Sequence, residues 1–521
     1  MMKISTMSFI LSLFCASCGL FAEGLKLPSV FSDHMVLQRE LPLPVWGQAE
    51  AGAEVRVAFR EQTRTTTADA AGNWRVDLAP ESASFEPAEL RVQSGDSQRV
   101  IQDVLVGEVW FCSGQSNMDW QVRRTLDGDL EPLVHAPAIR LLRAKRVVSA
   151  TALWDNGAVW TAATPETIAG FSSVGWHFGR TLQGVLNVPV GLIDSAWGGT
   201  PAIAWSRPVA MGRHPLLQAR WDEWEAGMPS FAQKKAEWEA ALAAWQAENG
   251  VAPAAFNPRQ HPNAPKPPPF DPASPHRPAS LANGMVSPFI PFAMRGVIWY
   301  QGESDAGWNP QQYGERLQVM FEDWREAWGL PNLYVGIVQL ANFMVPKVEP
   351  ADDPWPQLRE AQRQFSLNLH HSGMAVTIDL GEEKDIHPRN KQAVGRRLAR
   401  LALADAYGLE VLRGGPIPDK VEWQENGELR IQFRQNGSKL ISFDRELLGG
   451  FTLAGEDGVF HPANAEILSA SSVRVHSEAV LKPVHVRYAW QNNPADASLY
   501  NEERIPASPF ELRKHDLQNG K

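Results

Sequence analysis

The strongest constraint on this chain is a set of short apolar runs that stop at glycine or at small polar clusters. Val106–Phe111 leads into Cys112-Ser113-Gly114-Gln115-Ser116-Asn117-Met118. Val188–Trp197 leads into Gly198-Gly199-Thr200, and Gly296–Tyr300 into Gln301-Gly302-Glu303-Ser304. Leu333–Leu340 and Met374–Leu380 read as two further strands. Between the runs lie segments of helical spacing: Val174–Leu186, Tyr313–Trp328 and Val394–Ala404. In the second of these, Leu317, Met320, Phe321 and Trp324 recur every three to four residues. Strands that alternate with helices imply a mainly parallel sheet with both faces covered. The expected fold class is therefore α/β, a three-layer α/β/α domain over residues 106–410.

The flanks read differently. Residues 25–105 carry short apolar runs, Val55–Phe59, Trp74–Leu78 and Leu90–Val92. Turn signals at Ala51-Gly52, Ala71-Gly72 and Gly95-Asp96 separate them. This predicts a small N-terminal β-sandwich. From about 415 to 515 the β character returns in Leu429–Phe433, Leu440–Phe443 and Val473–His476, which predicts a C-terminal β domain. Within the α/β region, residues 206–282 form an insertion. It pairs a helical stretch, Trp221–Asn249, with a Pro-rich stretch over 252–279 that excludes a regular helix or a central strand.

The first 22 residues have the form of a secretory signal: Lys3, an apolar stretch from Met7 to Phe14, and small residues up to Ala22. That stretch is shorter than the ~20 residues a spanning helix needs. The expected location is exported, periplasmic or extracellular, with no membrane span. Of three cysteines, Cys15, Cys18 and Cys112, only Cys112 would survive removal of the signal. No internal disulfide framework is then available, and Cys112 reads as a small buried hydrophobe. The formal net charge of -10 and the lack of a basic run argue against a nucleic-acid partner.

The strand ends are where open α/β sheets place their sites. Ser116 follows the first run, and Gly114 permits the close turn that a serine nucleophile needs. Met118 stands where a G-x-S-x-G elbow would have its second glycine, so that elbow is disfavoured. Taken alone, such a segment more often holds a structural serine. Gly198 and Gly199 can present a backbone N–H to a ligand. The Gln301 amide can donate to a developing oxyanion, and Glu303 can order its loop or bind a sugar hydroxyl. His387, in Asp385-Ile386-His387-Pro388, has an acid two residues earlier. In an extended segment the two side chains share a face, so Asp385 can hold the Nδ1 proton and leave Nε2 for the serine. The chain order is Ser, Asp, His. No metal-ligand cluster is visible, and the chemistry needs no cofactor.

These segments resemble the sialate O-acetylesterase family, a branch of the SGNH hydrolases with acetyl-xylan-esterase-like relatives. The resemblance rests on GQSNM at 114–118, VPVGLIDSAWGGT at 188–200, NGMVSPFIPFAMRGVIWYQGES at 283–304 and TIDLGEEKDIHPRNKQAVGRRLA at 377–399. Weaker matches are MVLQRELPLPVWG at 35–47 and WPQLREAQ at 355–362. It implies an SGNH-hydrolase-like domain in which Ser116 is the nucleophile and His387 the base. The implied oxyanion donors are the Ser116 N–H, a glycine N–H from Gly198 or Gly199 (Gly199 favoured), and the Gln301 side chain. The common SGNH signature has Asp three residues before His, and Asn as the side-chain donor. Here the spacing is two and Gln301 replaces Asn, so Asp385 is either the triad acid or a bystander to a Ser–His dyad.

The implied substrate is an acetylated carbohydrate, deacetylated through an acetyl-serine intermediate. Among 20 tryptophans, several lie near the motifs. Trp197 and Trp299, with Glu303, are the expected sugar contacts, although most tryptophans pack in cores. Acetyl-xylan or another polysaccharide is an alternative substrate. A non-catalytic carbohydrate-binding protein and a lipid esterase are the readings from other classes. The sequence leaves the oligomeric state open.

Overall fold

The computed structural model describes residues 24–514, apart from 127, 259, 435 and 436. The expected signal segment, with Cys15 and Cys18, lies outside the described residues. The central sheet is built from β1 (Ser97–Gly114), β2 (Ile139–Arg143), β3 (Trp160–Ala162), β4 (Val190–Ala196), β5 (Gly296–Tyr300), β6 (Tyr334–Val338) and β7 (Ser372–Ala375). Their spatial order is β7-β6-β5-β1-β4-β2-β3. All neighbours are parallel except the edge strand β3, which runs antiparallel to β2.

The central strands are buried on both sides, so alternate residues feed two different cores. Val109, Phe111, Val297, Trp299, Val335 and Ile337 join one cluster. Trp110, Cys112, Ile298, Tyr300, Tyr334 and Val338 join the other. Short helix α1 (Ser116–Asp119) follows β1. Helix α2 (Ser173–Leu186) covers the second face, and α3 (Tyr313–Trp328) and α4 (Pro354–Asn368) cover the first. Helix α5 (Lys391–Asp405) lies beside α2 on the second face. Two helices on each side give three layers. Cys112 is buried within the second core and unbridged, and burial raises its thiol pKa.

The N-terminal β region is not set off from the sheet. The first half of β1 pairs antiparallel with Ser84–Ser94, and Val36–Gln38 runs parallel beside Leu105–Gly107. The expected boundary at 105/106 thus falls inside one continuous strand, and a single hydrophobic cluster spans both regions. The C-terminal region has its own core, from Leu429, Ile431 and Phe433 through Val473, Val486 and Phe510.

One expected strand is shorter than its apolar run. Met374–Leu380 stays in the sheet only to Ala375. Val376 and Ile378 turn away to pack in the C-terminal core instead, which releases residues 376–390 as a loop toward the other strand ends. The insertion contains helices Pro215–Gly227 and Phe231–Asn249 followed by an irregular Pro-rich stretch. Among the described residues, no helix is long and apolar enough to cross a membrane.

Candidate active site

Strands β1, β4 and β5 end side by side, with Gly114 in register with both Ala196 and Tyr300. Their three following loops therefore start from one line. Gly114 makes this possible. Its φ is +135°, and a Cβ there would lie 2.2 Å from the Tyr300 carbonyl oxygen. That carbonyl accepts the Gln115 N–H at 2.9 Å, and the Gly114 carbonyl accepts the Trp197 N–H at 3.1 Å. The Gln115 side-chain oxygen accepts the Ser304 N–H at 3.2 Å, which ties the first loop to the third.

Ser116 opens α1 and is partly exposed at this junction. The loop from β7 brings His387 across the sheet to it. Ser116 Oγ and His387 Nε2 are 2.9 Å apart. Asp385 accepts the His387 backbone N–H at 2.9 Å and lies 3.4 Å from its Nδ1 through the same carboxylate oxygen. Trp120 stacks on the imidazole, with ring centroids 4.9 Å apart and planes within 15°. Burial, then the nearby Lys391 charge, hold His387 below its ordinary pKa, and Asp385 opposes them. The shift favours the neutral imidazole, the form that can accept a proton.

Gly198 packs against the serine: a Cβ there would sit 3.2 Å from Ser116 Cβ. The same position at Gly199, whose φ is +78°, meets no atom within 4 Å. The Gly199 carbonyl instead accepts from His276 Nε2 at 2.9 Å, a residue of the insertion. Gly199, Arg220, His276, Ser304 and Trp308 line a cavity of ≈ 230 Å³ beside the serine loop. The insertion therefore supplies part of the wall. Trp197 is partly exposed nearby, under the Arg146 guanidinium at 5.7 Å.

Three expected site residues are placed elsewhere or act differently. Gln301 is fully buried and its amide is occupied. Its Nε2 donates to Asp305 at 2.6 Å and to the Thr200 carbonyl at 3.3 Å, while its Oε1 accepts from the Tyr313 hydroxyl at 2.5 Å. With both N–H bonds engaged, it has no donor left for an oxyanion. Trp299 is fully buried among Trp205, Phe321 and Trp324, so it is core and cannot touch a sugar. Glu303 does not face the cleft with its carboxylate. Oε1 accepts from Asn117 Nδ2 and Oε2 is enclosed, and burial raises its pKa. It orders the loop.

Sequence reasoning missed Asn117 and Lys391. Asn117 is 1% exposed, and its Nδ2 also donates to the Ile386 carbonyl at 3.0 Å. Lys391, in the first turn of α5, is fully buried and donates to Asn117 Oδ1. Burial pushes its pKa down to about 7 against the attraction of Glu303. Asn117 was visible as the neighbour of Ser116. Nothing in Pro388-Arg389-Asn390-Lys391 marks the lysine as buried. Among the described residues, no group of three or more His, Cys, Asp or Glu side chains is placed to hold a metal ion.

A carboxylate, an imidazole and a serine hydroxyl in sequence, at converging strand ends, can carry acyl transfer. The comparisons with known proteins agree with this chemistry. Residues 280–404 match the family described as carbohydrate esterase, sialic acid-specific acetylesterase. The chain is 29% identical to the sialate O-acetylesterase of Homo sapiens and 30% identical to that of Pongo abelii. Each alignment covers 94% of this chain and 92% of the relative. The crystal structure of a carbohydrate acetylesterase from Xanthomonas citri superposes with a TM-score of 0.78 at 33% identity, covering 94% of this chain and 99% of that one. Likeness of this extent, along nearly the whole of both chains, means that the protein belongs to the sialate O-acetylesterase family of carbohydrate esterases.

Proposed function

We propose that this carbohydrate O-acetylesterase acts on O-acetylated sugars, an O-acetylated sialic acid first among them, with Ser116 as nucleophile and His387 as general base. The observation that carries the assignment is the 2.9 Å contact between Ser116 Oγ and His387 Nε2 at the converging strand ends. Ser116 attacks the acetyl carbonyl and gives its proton to Nε2. The tetrahedral oxyanion collapses, the sugar alkoxide leaves with that proton, and acetyl-Ser116 remains. Water then gives a proton to His387, attacks the acetyl group and releases acetate and free Ser116.

The backbone N–H of Ser116 and that of Gly198 are the favoured oxyanion donors, because Gly198 is the glycine packed against the serine. Asp385 holds the Nδ1 proton from a half-exposed position. The cavity beside Gly199, with Trp308 and the polar side chains of His276, Ser304 and Arg220, suits the sugar part of the ester. Trp197, partly exposed just before Gly198, is the candidate stacking surface. The parallel three-layer domain supports an SGNH-hydrolase-like fold, with the N- and C-terminal β regions as its additions. The signal-like sequence at 1–22 supports export to the periplasm or beyond.

The test is acetate release by the parent and by Ser116→Ala from 4-nitrophenyl acetate, O-acetylated sialic acid and acetylated xylan. The parent should release acetate, and the variant should lose roughly 10³-fold or more in kcat. The sialic acid ester should have the highest kcat/KM. A variant as active as the parent would overturn the nucleophile, and a preference for xylan would move the substrate.

A further inference from the structure

We propose that Asn117, gripped by Lys391 and Glu303, is a positioning residue that holds the Ser116 turn and the His387 loop at their working separation. The inference rests on the assignment of Ser116 and His387 made above. Asn117 follows Ser116 in sequence, and its amide donates to the carbonyl of Ile386, the residue before His387, at 3.0 Å. One side-chain amide thus bridges the neighbours of both reacting groups. Its remaining N–H goes to Glu303 Oε1 and its oxygen accepts from Lys391 Nζ. No rotation or flip of the amide preserves these bonds, because a carboxylate only accepts and an ammonium only donates. The orientation of Asn117 is fixed by the chemistry of its partners.

The three grips come from three elements: the His387 loop after β7, the loop after β5 and the start of α5. Asn117 and Lys391 are almost wholly buried, so neither reaches substrate. Burying an ammonium is costly unless it is paired and hydrogen-bonded, and this lysine has ring contacts with the site beyond its bond to Asn117. Its Nζ lies 5.2 Å over the Tyr300 ring and 6.0 Å over the Trp120 ring, and Trp120 stacks on His387. Lys391 is thus tied to the base through both Asn117 and Trp120.

The groups facing this cluster are few. Asn117, Glu303, Tyr300 and Trp120 surround Lys391, with Asp385 and Glu382 acting on it from the His387 loop. Ser116, Asp385, Trp120, Lys391 and Arg124 act on His387. The Lys391 charge disfavours protonated His387. Its removal should therefore raise the imidazole pKa and move the acid limb of kcat/KM to higher pH.

The experiment compares the full-length parent with Lys391→Met, Glu303→Gln and Ser116→Ala on 4-nitrophenyl acetate. Active sites are counted by the 4-nitrophenol burst, and kcat/KM is followed from pH 5 to 9. Lys391→Met should lose roughly tenfold to 10²-fold in kcat per burst-competent site, since misplacement by about 1 Å costs that much. Its KM for this small ester should stay near the parent value, and its acid limb should shift upward. Glu303→Gln keeps an acceptor for Asn117 but removes the charge that supports the buried ammonium, so it should lose kcat per site in the same direction as Lys391→Met, by less. A Lys391→Met enzyme with parental kcat per site and an unmoved acid limb would overturn the proposal. So would a loss wholly accounted for by fewer folded sites. If Lys391→Met does not fold, Asn117→Ser, which removes the bridge and leaves the ammonium, is read by kcat per burst-competent site and KM alone, and a parental kcat per site there overturns the proposal. Retained activity in Ser116→Ala would instead overturn the underlying assignment, whatever the lysine variant does.

Discussion

The imidazole of His387 sits between opposed influences: burial and the Lys391 charge against protonation, Asp385 in favour of it. In the parent, kcat/KM should rise with pH on an acid limb lying below the ordinary histidine value, because the base works only when neutral. Asp385→Asn removes the one carboxylate that favours the charged form. The acid limb should move to lower pH, and kcat should fall by about tenfold, a modest loss because the carboxylate is half exposed. A pH–rate profile of the two proteins checks both. An unmoved limb with parental kcat would leave a Ser–His dyad. That Ser116, Asp385 and His387 would meet was legible in the sequence because each is a polar side chain close to a strand-end signal. Gln301 and Trp299 were misplaced for a common reason. Strand β5 is apolar on both faces, so its pattern hides which side each residue takes. Trp299 and Gln301 continue the period of Val297 toward Tyr313 and away from Ser116.

At the level of elements, the site depends on how β1 stops. Gly114 has a φ that L side chains rarely adopt, and its Cα faces the Tyr300 carbonyl with no room for a methyl group. Gly114→Ala must either tear the Gln115 N–H from that carbonyl or push β5 aside. Both move Ser116. The expected cost is about 3 kcal/mol or more in stability, from strain and the clash together. Urea unfolding measures it, and a loss under 1 kcal/mol would mean that the turn relaxes freely. The ends of β4 and β5 and the helices Tyr313–Trp328 and Lys391–Asp405 were readable to within a few residues, because long amphipathic or fully apolar segments carry a strong period. Strand β2, the edge strand β3 and helix α4 carry weaker signals. Strand β3 is only three residues long, and α4 starts at Pro354 and includes a second proline at 356. The end of β7 was unreadable for another reason. Val376 and Ile378 are apolar enough for a strand, but the partner that claims them lies in the C-terminal core.

For the molecule as a whole, that detour makes the C-terminal β region part of the site's support. The loop that carries His387 leaves β7 through Val376 and Ile378, and Asn342 Oδ1 accepts the Gly381 N–H at 2.6 Å farther along. Asn342 in turn donates to Asn493 at 3.0 Å, and Gln339 donates to Ser508 at 2.8 Å. At the centre of this seam is Arg359 of α4, fully buried. Its guanidinium donates to the carbonyls of Leu340 and Ala341 on one side, and of Gln491 and Asn492 on the other, at 2.7–2.9 Å. Burial depresses its pKa to about 9, so these carbonyls, rather than a carboxylate, are what stabilise the charge. Arg359→Met removes the charge together with its desolvation cost but leaves four carbonyls facing an apolar side chain. The net loss should be about 3 kcal/mol, fewer than four full bonds because the buried cation is no longer present. Chemical denaturation of the full chain measures this. Activity provides the second reading. If the seam supports the His387 loop, esterase activity should disappear at a lower denaturant concentration than global unfolding in the variant, while the two coincide in the parent. Coincident loss in both would make Arg359 a contributor to stability with no hold on the loop.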